Sequence, residues 1–371
     1  MHPQLLFSLI LLLTFLTTGT AQTVTYIWDL HELDSLRQQP SSRAFRSYVQ
    51  KADKTITSGV VAITDKATSR SGDKHNYESL SIYWWPDPAK PDGPYVARDG
   101  EFNPEYELYD YPRLLQLVNN LSTTSKAFYL TQQAKYYDYI CRQLDTWFID
   151  AATRMSPHFE YSQFIPGRNE GRGNPQGMID AYNFNSVLEC IRLTDNVRPL
   201  GKKRMKALRQ WFKDFANWME NSNYGQTASQ FKNSQAVAYD VTLYNIFIFT
   251  GNKAERRKLR QEFPSKRVAT QIESDGSMPQ ELKRTKAFSY SISCLHHFID
   301  FLALVKADSQ AMDSVSIQKI SSCIDFLSHF VGHRELFTYP ELGNWNEQER
   351  LLKIYASRFK TLSEPPLTHS R

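Results

Sequence analysis

The chain has 371 residues, 41% of them hydrophobic, a net charge of +5 and a pI near 8.8. The basic excess is mild, so whether it meets nucleic acid or an anionic glycan turns on where the protein works. The four cysteines, Cys141, Cys190, Cys294 and Cys323, are widely spaced in apolar, helix-like contexts. They form no CxxC or Cys/His ligand spacing, which excludes a zinc site and leaves buried thiols or at most one disulfide.

In chain order, the first element is an uncharged apolar run from Leu5 to Leu16. It is too short to span a membrane. Gly19-Thr20-Ala21 then puts small residues where a signal peptidase reads, so residues 1–21 are expected to be a signal peptide cleaved after Ala21. The mature chain, 22–371, is of a size for one large or two ordinary domains. An exported basic protein, periplasmic or secreted, points to an anionic glycan rather than to nucleic acid.

Residues 71–100, SGDKHNYESLSIYWWPDPAKPDGPYVARDG, have neither helical nor strand period. Pro86, Pro88, Pro91 and Pro94 fix φ and remove backbone donors, so no regular element fits. Disorder fits badly as well, because Tyr77, Tyr83, Trp84, Trp85 and Tyr95 carry too much apolar surface for a solvated tail. The expectation is an ordered loop that lines something.

Beyond it the pattern is helical. Leu114, Leu117 and Leu121 share one face, and Phe128, Ala134, Tyr137, Ile140, Leu144 and Phe148 another, at three-to-four spacing. The same period runs through GMIDAYNFNSVLECIRLTD, KRMKALRQWFKDFANWMEN, VAYDVTLYNIFIFTG, FSYSISCLHHFIDFLALVKA and SIQKISSCIDFLSHFVG. Short polar linkers join these segments, no repeat of fixed period is visible, and no proline-rich linker follows residue 104. The expected fold is all-α, one domain of stacked helical hairpins.

Three non-helical stretches interrupt the pattern: 71–100, 158–177 (HFEYSQFIPGRNEGRGNPQG) and 273–290 (ESDGSMPQELKRTKAFSY). Loops at helix ends are where a helical scaffold carries its site. A fourth stretch, KNSQAVAYD (232–240), opens a helix with an amide cluster.

SGDKHNY, YWWPDPAKPDGPYVARDGEFNPE, IPGRNEGRG and DGSMPQELKRT with its downstream tyrosine resemble the alginate-lyase superfamily of polysaccharide lyases. The resemblance runs from about residue 71 to 300. It implies an (α/α) toroid, an incomplete barrel of helical hairpins, and β-elimination at a uronic acid of an alginate-like or glucuronan-like polymer. It calls for no cofactor or metal, and for a monomer without a membrane span.

That chemistry needs a group to neutralise the C5 carboxylate, a base for the C5 proton and an acid for the leaving O4. Carried over by motif, Arg284 would hold the carboxylate with its planar fork. Tyr290 would donate to O4 and also accept the C5 proton. The plainer alternative is that Arg284 pairs with Glu281 and Tyr290 is a core aromatic. Arg172 is a second candidate cation, or else pins its turn through Glu170 or Asp180. The resemblance departs at KNSQAVAYD, where Asn233 stands but Ser234 replaces a second asparagine and Gln235 a histidine. Gln235 can donate an N–H but cannot titrate near neutrality. Tyr239 remains as a possible base. In the opening loop Tyr83, Trp84 and Trp85 offer flat faces to pyranose rings, while Lys74 and His75 can meet carboxylates or relay a proton. Against this, the tryptophans suit a buried plug, and His75 a satisfied core histidine. His296 and His297 lie inside an apolar helix and are set aside. The competing readings are a catalytically silent glycan-binding protein and a hydrolase using carboxylates such as Asp275, Glu281 and Glu170, which needs two of them facing one bond.

Overall fold

In the computed structural model residues 24–364 are described, so the leader expected at 1–21 lies outside them. The chain enters through α1 (His31–Arg37) and α2 (Arg43–Thr57). Two short pairs of strands follow: β1 (Glu78–Leu80) runs parallel to β4 (Tyr161–Phe164), and β2 (Trp84–Trp85) antiparallel to β3 (Val96–Ala97). The remainder is helical: α3 (Tyr111–Thr131), α4 (Ala134–Leu144), α5 (Phe184–Val197), α6 (Lys202–Asn221) and α7 (Asn223–Ala228). After them come α8 (Ser234–Thr250), α9 (Lys253–Phe263), α10 (Ala269–Gln271), α11 (Pro279–Leu282), α12 (Ala287–Ala307), α13 (Ser314–Ser328) and α14 (Trp345–Ser363).

The helices pack as neighbours into an incomplete toroid. α3 lies against α2, α4 and α5; α8 against α5, α6, α9 and α12; and α12 against α13 and α14. One hydrophobic cluster runs through the ring from Ala52 to Phe359. α8 and α12 are apolar on nearly every side because protein surrounds them. α12 is long and apolar enough to cross a bilayer by composition, but most of it is buried inside the ring. All four cysteines are buried and unpaired.

Local chemistry explains the helix ends that matter for the site. Asn233 caps α8, its side chain accepting the Gln235 N–H at 3.1 Å, and Gly251 closes the helix in the left-handed region. The turn before α8 is tied down by Arg267. Its guanidinium grips Asp240 with two bonds, of 2.7 and 3.0 Å, and donates to the carbonyls of Ser229 and Phe231.

One helical face differs from expectation. In α4, Tyr136 and Tyr139 are buried, whereas Ala134 is exposed and Tyr137 half-buried. The face rotates because both buried phenols find acceptors, Tyr136 at Asp53 and Tyr139 at the Gly59 carbonyl, each at 2.8 Å.

The 71–100 stretch is ordered, and three carboxylates hold it. Glu78 receives the N–H groups of Arg70 and Ser71 and the Ser69 hydroxyl. Asp110 receives the Glu78 N–H and the Lys66 ammonium. Buried Asp180 receives Tyr77, Ser79 and Gln163. The short strands escape a local period because β1 pairs with a strand about eighty residues away.

Candidate active site

The opening loop returns to the start of α12 through Asp99. This carboxylate accepts from Arg284 Nε at 3.0 Å and Nη2 at 2.6 Å, and from the Thr285 N–H at 3.1 Å and hydroxyl at 2.9 Å. Burial opposes the charged form, but the Arg284 fork and the Thr285 donors outweigh it and hold the Asp99 carboxyl down at about 2. Gly100 makes this contact possible. Its φ is +81°, and a Cβ there would sit 2.6 Å from the Thr285 hydroxyl.

Arg284 also lies over the Tyr290 ring, 4.2 Å from its centroid. Tyr290 donates its hydroxyl to the Tyr83 hydroxyl at 2.8 Å. Burial, then the Tyr83 hydroxyl, pushes the Tyr290 phenol well above its ordinary value, and burial raises Tyr83 as well. Both rings are therefore neutral donors at ordinary pH, not standing phenolates. Both are half-buried, so Tyr290 is not a closed core aromatic. Arg284 does not pair with Glu281. That buried carboxylate turns instead to the start of α8, accepting the Ser234 N–H at 2.7 Å.

This bond brings α8 to the same place. Asn233 and Gln235 are half-buried, and with its carbonyl oxygen held in the cap the Asn233 amide retains its NH₂ as a donor. Ser234 faces α12: His297 Nδ1 is 3.0 Å from its hydroxyl and 3.2 Å from its carbonyl. His297, set aside on sequence grounds, thus belongs to the cluster. Burial first, and His296 second, lower its pKa to about 3, so it is neutral. Seven residues separate it from Tyr290 along α12, roughly 10 Å at the helical rise.

The other candidates make none of these contacts. Tyr239 is buried and donates to the Met219 carbonyl at 2.9 Å, and burial raises its pKa. Its hydroxyl is engaged in the core rather than offered as a base. Arg172 pairs with Glu160, not with Glu170 or Asp180, beside a cavity of about 510 Å³ that Trp218, Asn223 and Tyr224 also line. His75 shares a groove of about 430 Å³ with Asp73, Arg154 and Asp214, and its Nδ1 lies 2.7 Å from the Arg154 carbonyl, whereas Lys74 is exposed. Trp84 and Trp85 are half-buried, neither a plug nor free, under Arg168 at 4.7 Å and Arg98 at 5.1 Å. Among the carboxylates considered for hydrolysis, Asp275 is exposed and accepts the Ser277 N–H, Glu170 is exposed, and Glu281 is buried. Among the described residues no His, Cys, Asp and Glu cluster could hold a metal ion.

The sequence profile of the alginate lyase family matches residues 61–337, and the chain belongs to that family, a polysaccharide lyase built as a helical toroid. An alginate lyase from Bacteroides ovatus is 32% identical, with a TM-score of 0.83 over 92% of this chain and 96% of that one. Alginate lyase A1-III from Sphingomonas species A1 shares the fold at 12% identity, with a TM-score of 0.52 over 85% of this chain and 80% of its own. No curated protein matches the chain at the level of sequence.

Proposed function

We propose that the protein cleaves an acidic polysaccharide rich in uronic acid, alginate-like or glucuronan-like, by β-elimination, with Tyr290 at the centre of the chemistry. The observation that carries this reading is the Arg284–Tyr290–Tyr83 arrangement beside the amide-bearing start of α8. The substrate carboxylate lies against Arg284 and the side-chain amides of Asn233 and Gln235. Asp99 holds two of the guanidinium's donor atoms, and Nη1 makes no hydrogen bond within the described residues, which leaves it for the substrate. Neutralising the carboxylate makes the C5 proton acidic, because charge that develops at C5 spreads into it. Tyr290, having passed its resting proton through the Tyr83 hydroxyl to solvent as the substrate binds, takes the C5 proton, and the electron pair left at C5 forms the C4–C5 double bond as the C4–O4 bond breaks. Tyr290 then hands that proton to the departing O4 and is again a phenolate for the next turnover.

A raised phenol pKa suits the donor step directly. Tyr290 serves as base only when the bound substrate and Arg284 stabilise the phenolate, so proton abstraction is the harder half of the cycle. Trp84, Trp85 and Arg172 flank the site as sugar contacts. His75 and Lys74 are read as contacts to a longer chain rather than as a relay. The protein is exported by its N-terminal leader and works as a monomer without a cofactor.

The test is the ultraviolet absorbance of the conjugated double bond on incubation with alginate, polymannuronate and polyglucuronate. Only elimination creates that chromophore. Release of reducing ends without it would establish hydrolysis. Binding of the polymers with neither product would establish a silent glycan-binding protein, the reading that Gln235 in place of a histidine favours.

A further inference from the structure

Ser234 and Gln235 stand where the family resemblance leads one to look for an asparagine and a histidine, yet a histidine does reach this turn, from another helix. His297 lies two helical turns beyond Tyr290 on α12 and meets both oxygens of Ser234, the hydroxyl at 3.0 Å and the carbonyl at 3.2 Å. A carbonyl only accepts, so the contact places the hydrogen on Nδ1 and makes His297 the donor to both. The ring is braced from behind. Tyr182 packs on it at 4.4 Å between centroids, and the Tyr182 hydroxyl donates to Asp300, which Arg358 of α14 also holds. On its other side Ser234 gives its N–H to buried Glu281. The first residue of α8 is therefore clamped from two directions by groups that never reach the cleft.

The residues on either side of that clamp, Asn233 and Gln235, are the amides that the proposed function assigns to the substrate carboxylate. We infer that His297 is a positioning residue for elimination: through the two oxygens of Ser234 it fixes the first turn of α8, and so the aim of the Asn233 and Gln235 amides. This inference rests on the lyase reading. A neutral imidazole suits the task, because it holds the turn without adding a charge that would compete for the substrate carboxylate. Displacing a positioned donor by about 1 Å is enough to reduce turnover by about a hundredfold.

The experiment measures kcat and KM on alginate, by double-bond absorbance, and binding of alginate tetrasaccharides by calorimetry, for wild type, His297→Leu, His297→Asn and Ser234→Ala. Each is made alone and with Asn233→Ser and Gln235→Ala combined. His297→Leu removes the donor and should lower kcat by about ten- to a hundredfold, with KM changed by no more than about threefold. His297→Asn places an amide N–H near the position of Nδ1 and should recover at least half of that loss on a logarithmic scale. In the Asn233→Ser/Gln235→Ala background, which keeps a capping oxygen but removes both amides, His297→Leu should reduce kcat by less than about threefold more, since positioned groups that are absent can no longer be misplaced. Equal losses in both backgrounds, or an asparagine variant as slow as the leucine variant at unchanged melting temperature, would overturn the inference. Should His297→Leu not fold, Ser234→Ala, which deletes one of the two anchored oxygens, carries the same comparison with a smaller loss. Tyr290→Phe separates the two levels. If it abolishes elimination while the His297 and Ser234 variants match wild type, the lyase reading stands and the positioning role is wrong. Wild type that binds the tetrasaccharide without turnover shifts the readout to affinity, which His297→Leu must then weaken by at least about fivefold. Wild type that does neither refutes both.

Discussion

Two arginine forks hold two aspartates in this molecule, and their surroundings differ more than their geometry. Arg267 and Asp240 are each 1% exposed and join α8 to the segment that follows α9. Arg284 and Asp99 are each about one-third exposed and join the 71–100 loop to the start of α12. Both pairs are bidentate. In the first, all three guanidinium nitrogens are engaged by protein, Nη2 also reaching the Ser229 carbonyl and Nη1 the Phe231 carbonyl. In the second, the guanidinium faces an aromatic ring and keeps Nη1 unengaged among the described residues. A fork saturated by protein is scaffold, whereas one that is pre-aimed but not saturated is suited to a ligand.

The largest effect that would break this contrast is on the buried pair. Arg267→Met leaves Asp240 charged and unpaired in the core, and should destabilise the protein by about 3–5 kcal/mol, the scale for breaking a buried pair from one side. Denaturant unfolding checks it. A loss under about 1 kcal/mol would mean that water reaches Asp240 and that this fork, too, is not sealed.

Next in size is Tyr290→Phe, which keeps the ring under Arg284 and removes the hydroxyl. Turnover should fall by at least about a hundredfold, the scale for losing a general acid or base. The melting temperature should move little, because the lost bond goes to another half-buried hydroxyl. Full kcat with an intact circular dichroism spectrum would move the chemistry elsewhere in the cleft.

Much of this was legible in the residues, and the misses share one cause. The helices could be read from spacing, and the 71–100 loop as ordered from its aromatics. The four residues on which the proposed function rests, Arg284, Tyr290, Asn233 and Gln235, stand in motifs of about a dozen consecutive residues. What could not be read was pairing at long separation. The partner of Arg284 is not Glu281, three residues away, but Asp99, 185 residues away, and the only local hint is the glycine after it. His297 looked like core filler because its own helix is apolar all round. Its meaning comes from Ser234, 63 residues earlier. Tyr239 shows the reverse. Its motif position survives, but its hydroxyl is engaged by the Met219 carbonyl, which no pattern within α8 discloses.

A third change weighs the exposed fork directly. Arg284→Lys keeps the charge and loses the planar, two-point grip on Asp99 and the flat stack on Tyr290. It should lower kcat/KM by at least about tenfold, roughly 1.4 kcal/mol of transition-state stabilisation. Because Asp99 keeps its Thr285 donors, stability should hardly change. Near-wild-type kcat/KM would make Arg284 a loop fastener only.

The smallest expected effect concerns acid. The Asp99 carboxyl titrates at about 2 in the folded protein, below its ordinary 3.8. A folded value lowered in this way contributes stability that is present above about 3.8 and disappears as the pH falls through about 2, because below that range both states carry the proton. Asp99→Asn removes the contribution at every pH. The melting temperature of wild type should therefore exceed that of the variant at neutral pH, with the gap closing between about pH 4 and 2. Solvent screens a pair that is one-third exposed, so the gap corresponds to less than about 1 kcal/mol. Other carboxylates titrate in the same window, which is why the difference between the two proteins, rather than either curve, is the measurement. A gap that stayed constant down to pH 2 would mean that Asp99 acts through shape, holding Thr285 and the loop, and not through its charge on Arg284. The exposed fork would then resemble the buried one in function, and the contrast between the two pairs would rest on the ligand-facing Nη1 alone.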